Sequence, residues 1–231
     1  MNYESVTYGA DHKRVYREFR NEELARILRA YFSLDDSLRI LDVGCGTGLI
    51  LEYLSSLSDK YSLFGIDGSQ VMLNQARNLL LGNGRSATLS LGTCDDLPFA
   101  DESLDVVVAT RFIHLFDHED KKRIYTEFLR VLRPGGIVVV EYYARSFAWV
   151  RYYLMGAWRH KERNSFFSHY PTKSQVGDIL ESPFQSRPIR LAGSRVLVRL
   201  FGEPLLRWLT QHTPFPNQNL LVDEYFVVTR K

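Results

Sequence analysis

Ile40-Leu41-Asp42-Val43-Gly44-Cys45-Gly46-Thr47-Gly48 is the stretch on which the fold turns. Leu38, Ile40, Leu41 and Val43 make an apolar run that reads as a buried strand. Glycines follow at alternate positions, and 49–54 (LILEYL) reads as a helix. Strand, tight glycine turn and helix open a nucleotide-binding α/β fold. A glycine has no Cβ, so the backbone turns sharply and a ligand can lie directly against it. The amides of the new helix then face that ligand. The dinucleotide pattern G-x-G-x-x-G would need glycine at 49, where Leu49 stands, and the phosphate-loop ending G-K-[ST] is replaced by Gly48-Leu49-Ile50.

D-V-G-C-G-T-G instead resembles the first motif of class I S-adenosylmethionine-dependent methyltransferases. A second acidic residue supports the match. Residues 61–67 (YSLFGID) read as a strand ending in Asp67, 19 residues after Gly48. A carboxylate at that strand end can accept both ribose hydroxyls of an adenosine. Gly92-Thr93-Cys94-Asp95-Asp96-Leu97-Pro98-Phe99 resembles the adenine loop of the small-molecule branch, with Thr93 where the family has Asp and Asp95 where it has Glu. Arg133-Pro134-Gly135-Gly136 before an apolar run is similar to the family as well. The resemblance covers 38–142 well and the last strand loosely. It implies S-adenosylmethionine as cofactor, held by Asp42, Gly44, Gly46, Gly48, Asp67, Gly68, Met72, Thr93, Cys94, Asp95, Thr110 and Arg111.

The composition suits that reading. The 231 residues fit one α/β domain with an added cap, and 45% hydrophobic with 24% charged residues is ordinary for a globular protein. No apolar stretch reaches the ~18 residues of a membrane span, and the polar start MNYESVTYGADHKR lacks a signal-peptide core. Cys45 and Cys94 are too few for a disulfide framework or a cysteine zinc site, so a cytoplasmic, reducing setting is expected. The net charge of +2 conceals an asymmetry. Residues 1–142 hold 16 Lys+Arg and 21 Asp+Glu, a net of −5, and 143–231 hold 13 and 6, a net of +7. Substrate or partner contacts are therefore expected in the back of the chain.

The expected fold class is α/β: a Rossmann-like, seven-stranded, mostly parallel sheet with helices on both faces and an antiparallel last strand. Strands are read at 38–43, 61–67, 87–91, 104–109, 137–142, 187–191 and 223–229, and helices at 21–32, 69–81, 117–132, 172–181 and 194–211. One domain is expected over 1–231: an N-terminal lid and helix (1–36), the cofactor core (37–142), a cap insertion (143–170), and C-terminal helices and strands (171–231). The insertion carries nine of the chain's 30 aromatics in 28 residues, interleaved with Arg145, Arg151, Arg159, Lys161 and Arg163. It reads as a plain helical pair, as a hydrophobic substrate cap, or as a patch against anionic lipid or nucleic acid, and the composition does not discriminate these.

The family resemblance makes methyl transfer the expected reaction. The sulfonium is an activated donor, so the protein must align the nucleophile and, for oxygen, help remove its proton. No metal is called for. His114, in the H-x-x-D that follows the fourth strand, is the candidate general base, with packing beneath the next helix as the alternative. Tyr8, Tyr16, His114, Tyr142, Trp149 and Tyr153 are the candidate substrate contacts. The [ND]-P-P-[YF] of amino-methyltransferases is absent, since Thr110-Arg111-Phe112-Ile113 stands there, which argues against adenine or glutamine amides. A small hydrophobic or aromatic acceptor is expected. The rivals are a lipid-like or macromolecular acceptor and a non-catalytic cofactor-binding regulator. Nucleic acid is the disfavoured partner, peripheral lipid contact stays open, and the oligomeric state is not readable.

Overall fold

The computed structural model describes residues 10–33, 35–143, 173–180, 182–191, 204–205, 208 and 222–231. Helix α1 (Ala10–Tyr31) leads into β1 (Arg39–Val43), α2 (Leu49–Leu57), β2 (Ser62–Asp67), α3 (Gln70–Gly82), β3 (Thr88–Leu91) and β4 (Leu104–Ala109). A 3-10 turn (Ile113–Leu115) precedes α4 (His118–Val131), β5 (Leu132–Tyr143), α5 (Lys173–Leu180), β6 (Phe184–Leu191) and β7 (Val222–Arg230). The strands form one sheet in the order β3-β2-β1-β4-β5-β7-β6. β7 runs antiparallel to both neighbours and the other pairs are parallel.

Side chains alternate across the sheet with the period of two that a strand imposes. Leu41, Val43, Val107, Val138 and Val140 face α4 and α5, where Phe128, Val131 and Val176 meet them. Ile40, Val106, Val108, Ile137 and Val139 face α1, α2 and α3, where Leu24, Leu28, Leu51 and Leu73 complete a second core. β4 is buried at every position, as a central parallel strand covered on both faces must be. Helix ends follow local chemistry. Ser69 caps α3 by accepting the Met72 amide, and Asp117 caps α4 by accepting the Asp120 amide at 2.9 Å, with Glu119 and Asp120 in the first turn.

The structure changes several boundaries. Helix α1 begins at Ala10, where the sequence periodicity supports only 21–32. No glycine or proline interrupts 10–31, and Phe19 is buried in the core although its neighbours are charged. β6 starts at Phe184. Its pairing with β7 carries it past Pro188, with a register shift between Pro188 and Arg190. The insertion at 144–170, with Trp149 and Tyr153, lies outside the described residues, as do Tyr8 and nearly all of 194–211.

Candidate active site

The parallel strands β1, β2 and β4 end at one edge, and the loops leaving them meet there, where ligands of open α/β sheets bind. The loop after β1 is tied to β2 by the Gly44 and Cys45 amides, which donate to the Ile66 carbonyl at 2.8 and 3.0 Å. Gly44, Gly46 and Gly48 have φ of 70, 52 and 79°, in the left-handed region that glycine adopts without strain. The three differ in surroundings. A Cβ on Gly44 would lie 2.2 Å from Phe112 Cδ2, and one on Gly48 would lie 2.9 Å from Ala76 Cβ. These two glycines admit neighbouring chain. Gly46 has nothing within 4 Å of the same point, so it leaves room for a ligand.

Gly44→Ala is therefore expected to cost about 2–5 kcal/mol, combining ~1–3 for overpacking and ~1–2 for a left-handed non-glycine residue. The melting temperature should drop by roughly 4–20 °C at ~2–4 °C per kcal/mol. A thermal melt within a degree or two of wild type would refute the close packing of Phe112 on Gly44.

Asp67 stands at the end of β2, beside this open space. Its Oδ2 accepts the Gly46 amide at 2.8 Å and its Oδ1 accepts the Ser69 amide at 2.8 Å. Each carboxylate oxygen can accept a second hydrogen bond. Leu91 is the register partner of Asp67 on β3, and the Gly92 amide donates to the Asp67 carbonyl at 3.3 Å. Leu91 and Met72 are exposed there. They border the same sheet edge with apolar surface of the kind a purine ring covers. Gly68 has only the Gly92 carbonyl oxygen near it, at 4.0 Å from a built Cβ.

In the next loop, Thr93 and Asp95 are exposed and the Cys94 side chain is buried in the core. Burial pushes the Cys94 thiol up to about 11, with Asp95 adding to the shift. The loop is pinned by two residues the sequence reading missed. Glu127 Oε1 accepts the Leu97 amide at 2.7 Å, while Arg130 donates to the carbonyls of Leu97 and Phe99 at 3.1 and 2.9 Å. Arg130 also grips Glu127 and holds its carboxyl below the usual range. Their i,i+3 spacing on α4 was the available signal, one that usually marks a surface pair of little consequence.

Thr110, Arg111 and Phe112 leave β4 beside the glycine loop. Arg111 is exposed and takes φ 52°, a left-handed conformation unusual for arginine. His114 is half-buried in the 3-10 turn, its ring edge-on to Tyr143 with centroids 5.0 Å apart. Tyr142 points the other way: it is buried in the core and stacks on Tyr225, so it belongs to the packing and not among the acceptor contacts where the sequence reading puts it. The Tyr16 hydroxyl donates to Glu141 Oε1 at 3.0 Å, which ties α1 to β5.

Beneath the glycine loop lies a buried charged group. Asp42 (1% exposed) and Glu141 (2%) share the α1 side of the sheet, and Arg20 of α1 (6%) brings Nη1 to 4.0 Å from Glu141 Oε2. Asp42 Oδ1 and Arg20 Nε have no hydrogen-bond partner. Burial pushes Asp42 up to about 8, against the pull of Arg20 and with the help of Asp67, and burial alone pushes Glu224 up to about 8.

Both carboxyls thus hold their protons in the fold to higher pH than in the unfolded chain, where the range is ~4. Their contribution to stability is complete below ~pH 4 and is lost as pH rises through about 8. Melting of the ligand-free protein is expected to move to lower temperature between pH 6 and pH 8.5, and less so in Asp42→Asn. A melting temperature that climbs across that interval would contradict it.

These features fit an adenosine carrying an amino-acid tail. The Gly46 cradle would take the backbone-hugging part, Asp67 the ribose diol, and the orphaned Asp42 and Arg20 atoms suit an ammonium and a carboxylate. Among the described residues no helix is long and apolar enough to cross a membrane.

Residues 40–136 match the protein family described as "Methyltransferase domain". The chain is 36% identical over 111 residues to phosphatidylethanolamine N-methyltransferase of Cereibacter sphaeroides, covering 47% of this chain and 52% of the relative. It is 33% identical over 105 residues to the ubiquinone/menaquinone biosynthesis C-methyltransferase UbiE of Geotalea daltonii, covering 44% of each. The chain spans about half the length of the curated relatives it matches. Among solved structures, a SAM-dependent methyltransferase from Methanosarcina mazei superimposes with a TM-score of 0.63 at 20% identity, over 89% of this chain and 96% of that one. That likeness speaks for the fold.

Proposed function

Since residues 40–136 belong to the methyltransferase-domain family of the class I S-adenosylmethionine-dependent fold, we propose that the chain transfers the methyl group of S-adenosylmethionine to a small-molecule acceptor. The observation that carries this reading is the open Gly46 position beside the Asp67 carboxylate at the sheet edge. The donor, when bound, supplies an electrophilic methyl on a sulfonium. The protein's own part is positional. Asp67 and the glycine loop fix the adenosine, and the edge formed by Thr110 to His114 and Tyr143 is where a nucleophile would be aligned with the methyl. His114 is the side chain there suited to take a proton near neutral pH.

Calorimetric titration with S-adenosylmethionine, followed by labelled-methyl transfer to a panel of small amine, phenol and carbon acids, tests the proposal. Micromolar binding with transfer to one acceptor class is the expected result. No binding would refute it, and binding without transfer to any acceptor would favour a regulator.

A lipid-like acceptor is the second reading. It is favoured by the similarity to a phosphatidylethanolamine methyltransferase and by the net +7 of residues 143–231. Transfer to ethanolamine phospholipid in anionic vesicles, and not to the water-soluble panel, would establish it. Residues 143–170 are proposed as the acceptor-facing part in either case.

A further inference from the structure

Arg111 is an unengaged cation at the ligand edge of the sheet. It follows Thr110 at the carboxyl end of β4, three residues before His114, and its side chain is exposed. Among the described residues it makes no hydrogen bond and no ion pair. Arginines at the opposite edge are engaged: Arg39 donates to the Ser103 carbonyl and lies over the Phe64 ring, and Arg133 pairs with Asp105. The backbone sharpens the contrast. Among the described residues two that are not glycine take a positive φ, Glu102 at 55° and Arg111 at 52°. There Cβ crowds the carbonyl oxygen, and glycine or asparagine fits at less cost. The Glu102 side chain has a partner in the fold, accepting from Lys231 Nζ at 3.4 Å. The turn at Arg111 has a structural cause, because it carries Phe112 onto Gly44, where the ring occupies the space of a Cβ. That cause asks for a left-handed backbone and not for an arginine, and glycine would serve it with less strain. A strained residue whose side chain does nothing for the fold points to a ligand.

The chemistry of the group says which ligand. A guanidinium presents a planar fork of N–H donors that matches a carboxylate or a phosphate. Arg111 lies in the half of the chain that is net −5, so it is not part of a general basic surface. The methyl donor brings one carboxylate, for which the buried and unpartnered Nε of Arg20 is suited. Resting on the methyltransferase reading, we propose that Arg111 is the anion-binding residue of the acceptor site, rather than the cofactor contact the resemblance makes it. The acceptor then carries a phosphate or carboxylate close to the atom that is methylated. Held by Arg111 at the end of β4, it brings its nucleophile to the turn that carries His114.

The experiment follows the side-chain Nε–Hε signal of Arg111 by magnetic resonance. The full chain carries isotope-labelled arginine and is saturated with S-adenosylhomocysteine, and the signal is assigned by its loss in Arg111→Gly. Inorganic phosphate and benzoate are the probes. The Arg111 signal is expected to shift and saturate at millimolar anion, while that of the exposed Arg17 of α1 drifts without saturating. Arg111→Gly should melt no lower than wild type and bind S-adenosylmethionine as tightly. In transfer assays with acceptors matched except for the anion, phenol with hydroxybenzoate and ethanolamine with its phosphate ester, the anionic member should lose about tenfold or more in kcat/KM in that variant. Arg111→Lys should recover part of the loss. Vesicles of phosphatidic acid in phosphatidylcholine separate the two sources of a phosphate. Sedimentation with them in the wild type and not in Arg111→Gly assigns it to a lipid headgroup, and any other pattern assigns it to a soluble acceptor. An Arg111 signal that responds no more than that of Arg17 would overturn the proposal. So would a glycine variant that melts several degrees lower, which makes the arginine structural, or one that loses donor affinity, which returns it to the cofactor. Donor binding with an Arg111 signal unmoved by either anion sinks this inference alone, whereas no donor binding in the wild type sinks the methyltransferase reading and this inference with it.

Discussion

Asp67→Ala is expected to weaken S-adenosylmethionine binding by at least tenfold. Two ribose hydroxyls donating to one carboxylate make two charge-assisted hydrogen bonds, each worth ~1.5–3 kcal/mol. The upper end of that range corresponds to about 10⁴-fold. The structure adds a second consequence. Asp67 also accepts the Gly46 and Ser69 amides, so the variant releases the loop that forms the cradle and the backbone that starts α3. Asp67→Asn keeps one acceptor oxygen and should fall between wild type and alanine. Calorimetry on folded protein distinguishes the cases. Unchanged affinity in the alanine variant would remove the ribose assignment.

His114→Ala is expected to lower the turnover rate by roughly 10²–10⁴ with little change in donor affinity, as the loss of a general base does. His114 stands in the turn beyond β4, with its ring against Tyr143 at the end of β5. The acid of the H-x-x-D pair is otherwise engaged, because Asp117 caps α4. The Tyr143 ring, edge-on to the imidazole, contributes to its orientation. A purified variant that turns over within a few fold of wild type, with a lowered melting temperature, would make His114 a packing residue. Proximity alone would then carry transfer to an already deprotonated nucleophile.

The strands around the glycine loop were legible because buried parallel strands write themselves as apolar runs, as 104–109 does. The carboxylate ending 61–67 and the serine before α3 were legible for the same reason, each being a local signal. Contacts made across the sequence were not. Nothing in the residues near Arg20 says that its guanidinium is swallowed between β1 and β5, or that Tyr16 reaches a residue 125 positions away. The first half of α1 was hidden because its charges outnumber its apolar residues, although Phe19 reaches the core. Tyr142 was misplaced by the strand's alternation: its neighbour Tyr143 lies on the side of His114, and a one-residue step turns the side chain to the opposite core.

The insertion of β7 between β5 and β6 bears on how the chain comes to be folded at all. Among the described strands β6 is the penultimate, and its partner in the sheet is a strand that follows it. On a ribosome, the five strands from β3 to β5 can assemble from residues already made, since every one of their pairings lies within residues 39–143. β5 must then wait, its outer edge bare along Ile137–Tyr143, until residues 222–230 arrive to cover it. A bare edge of valines is the template on which chains stick to one another. Removing 222–231 would therefore show itself as inclusion bodies before any question of catalysis arises, and a chaperone that shields strand edges should raise the yield of the intact chain.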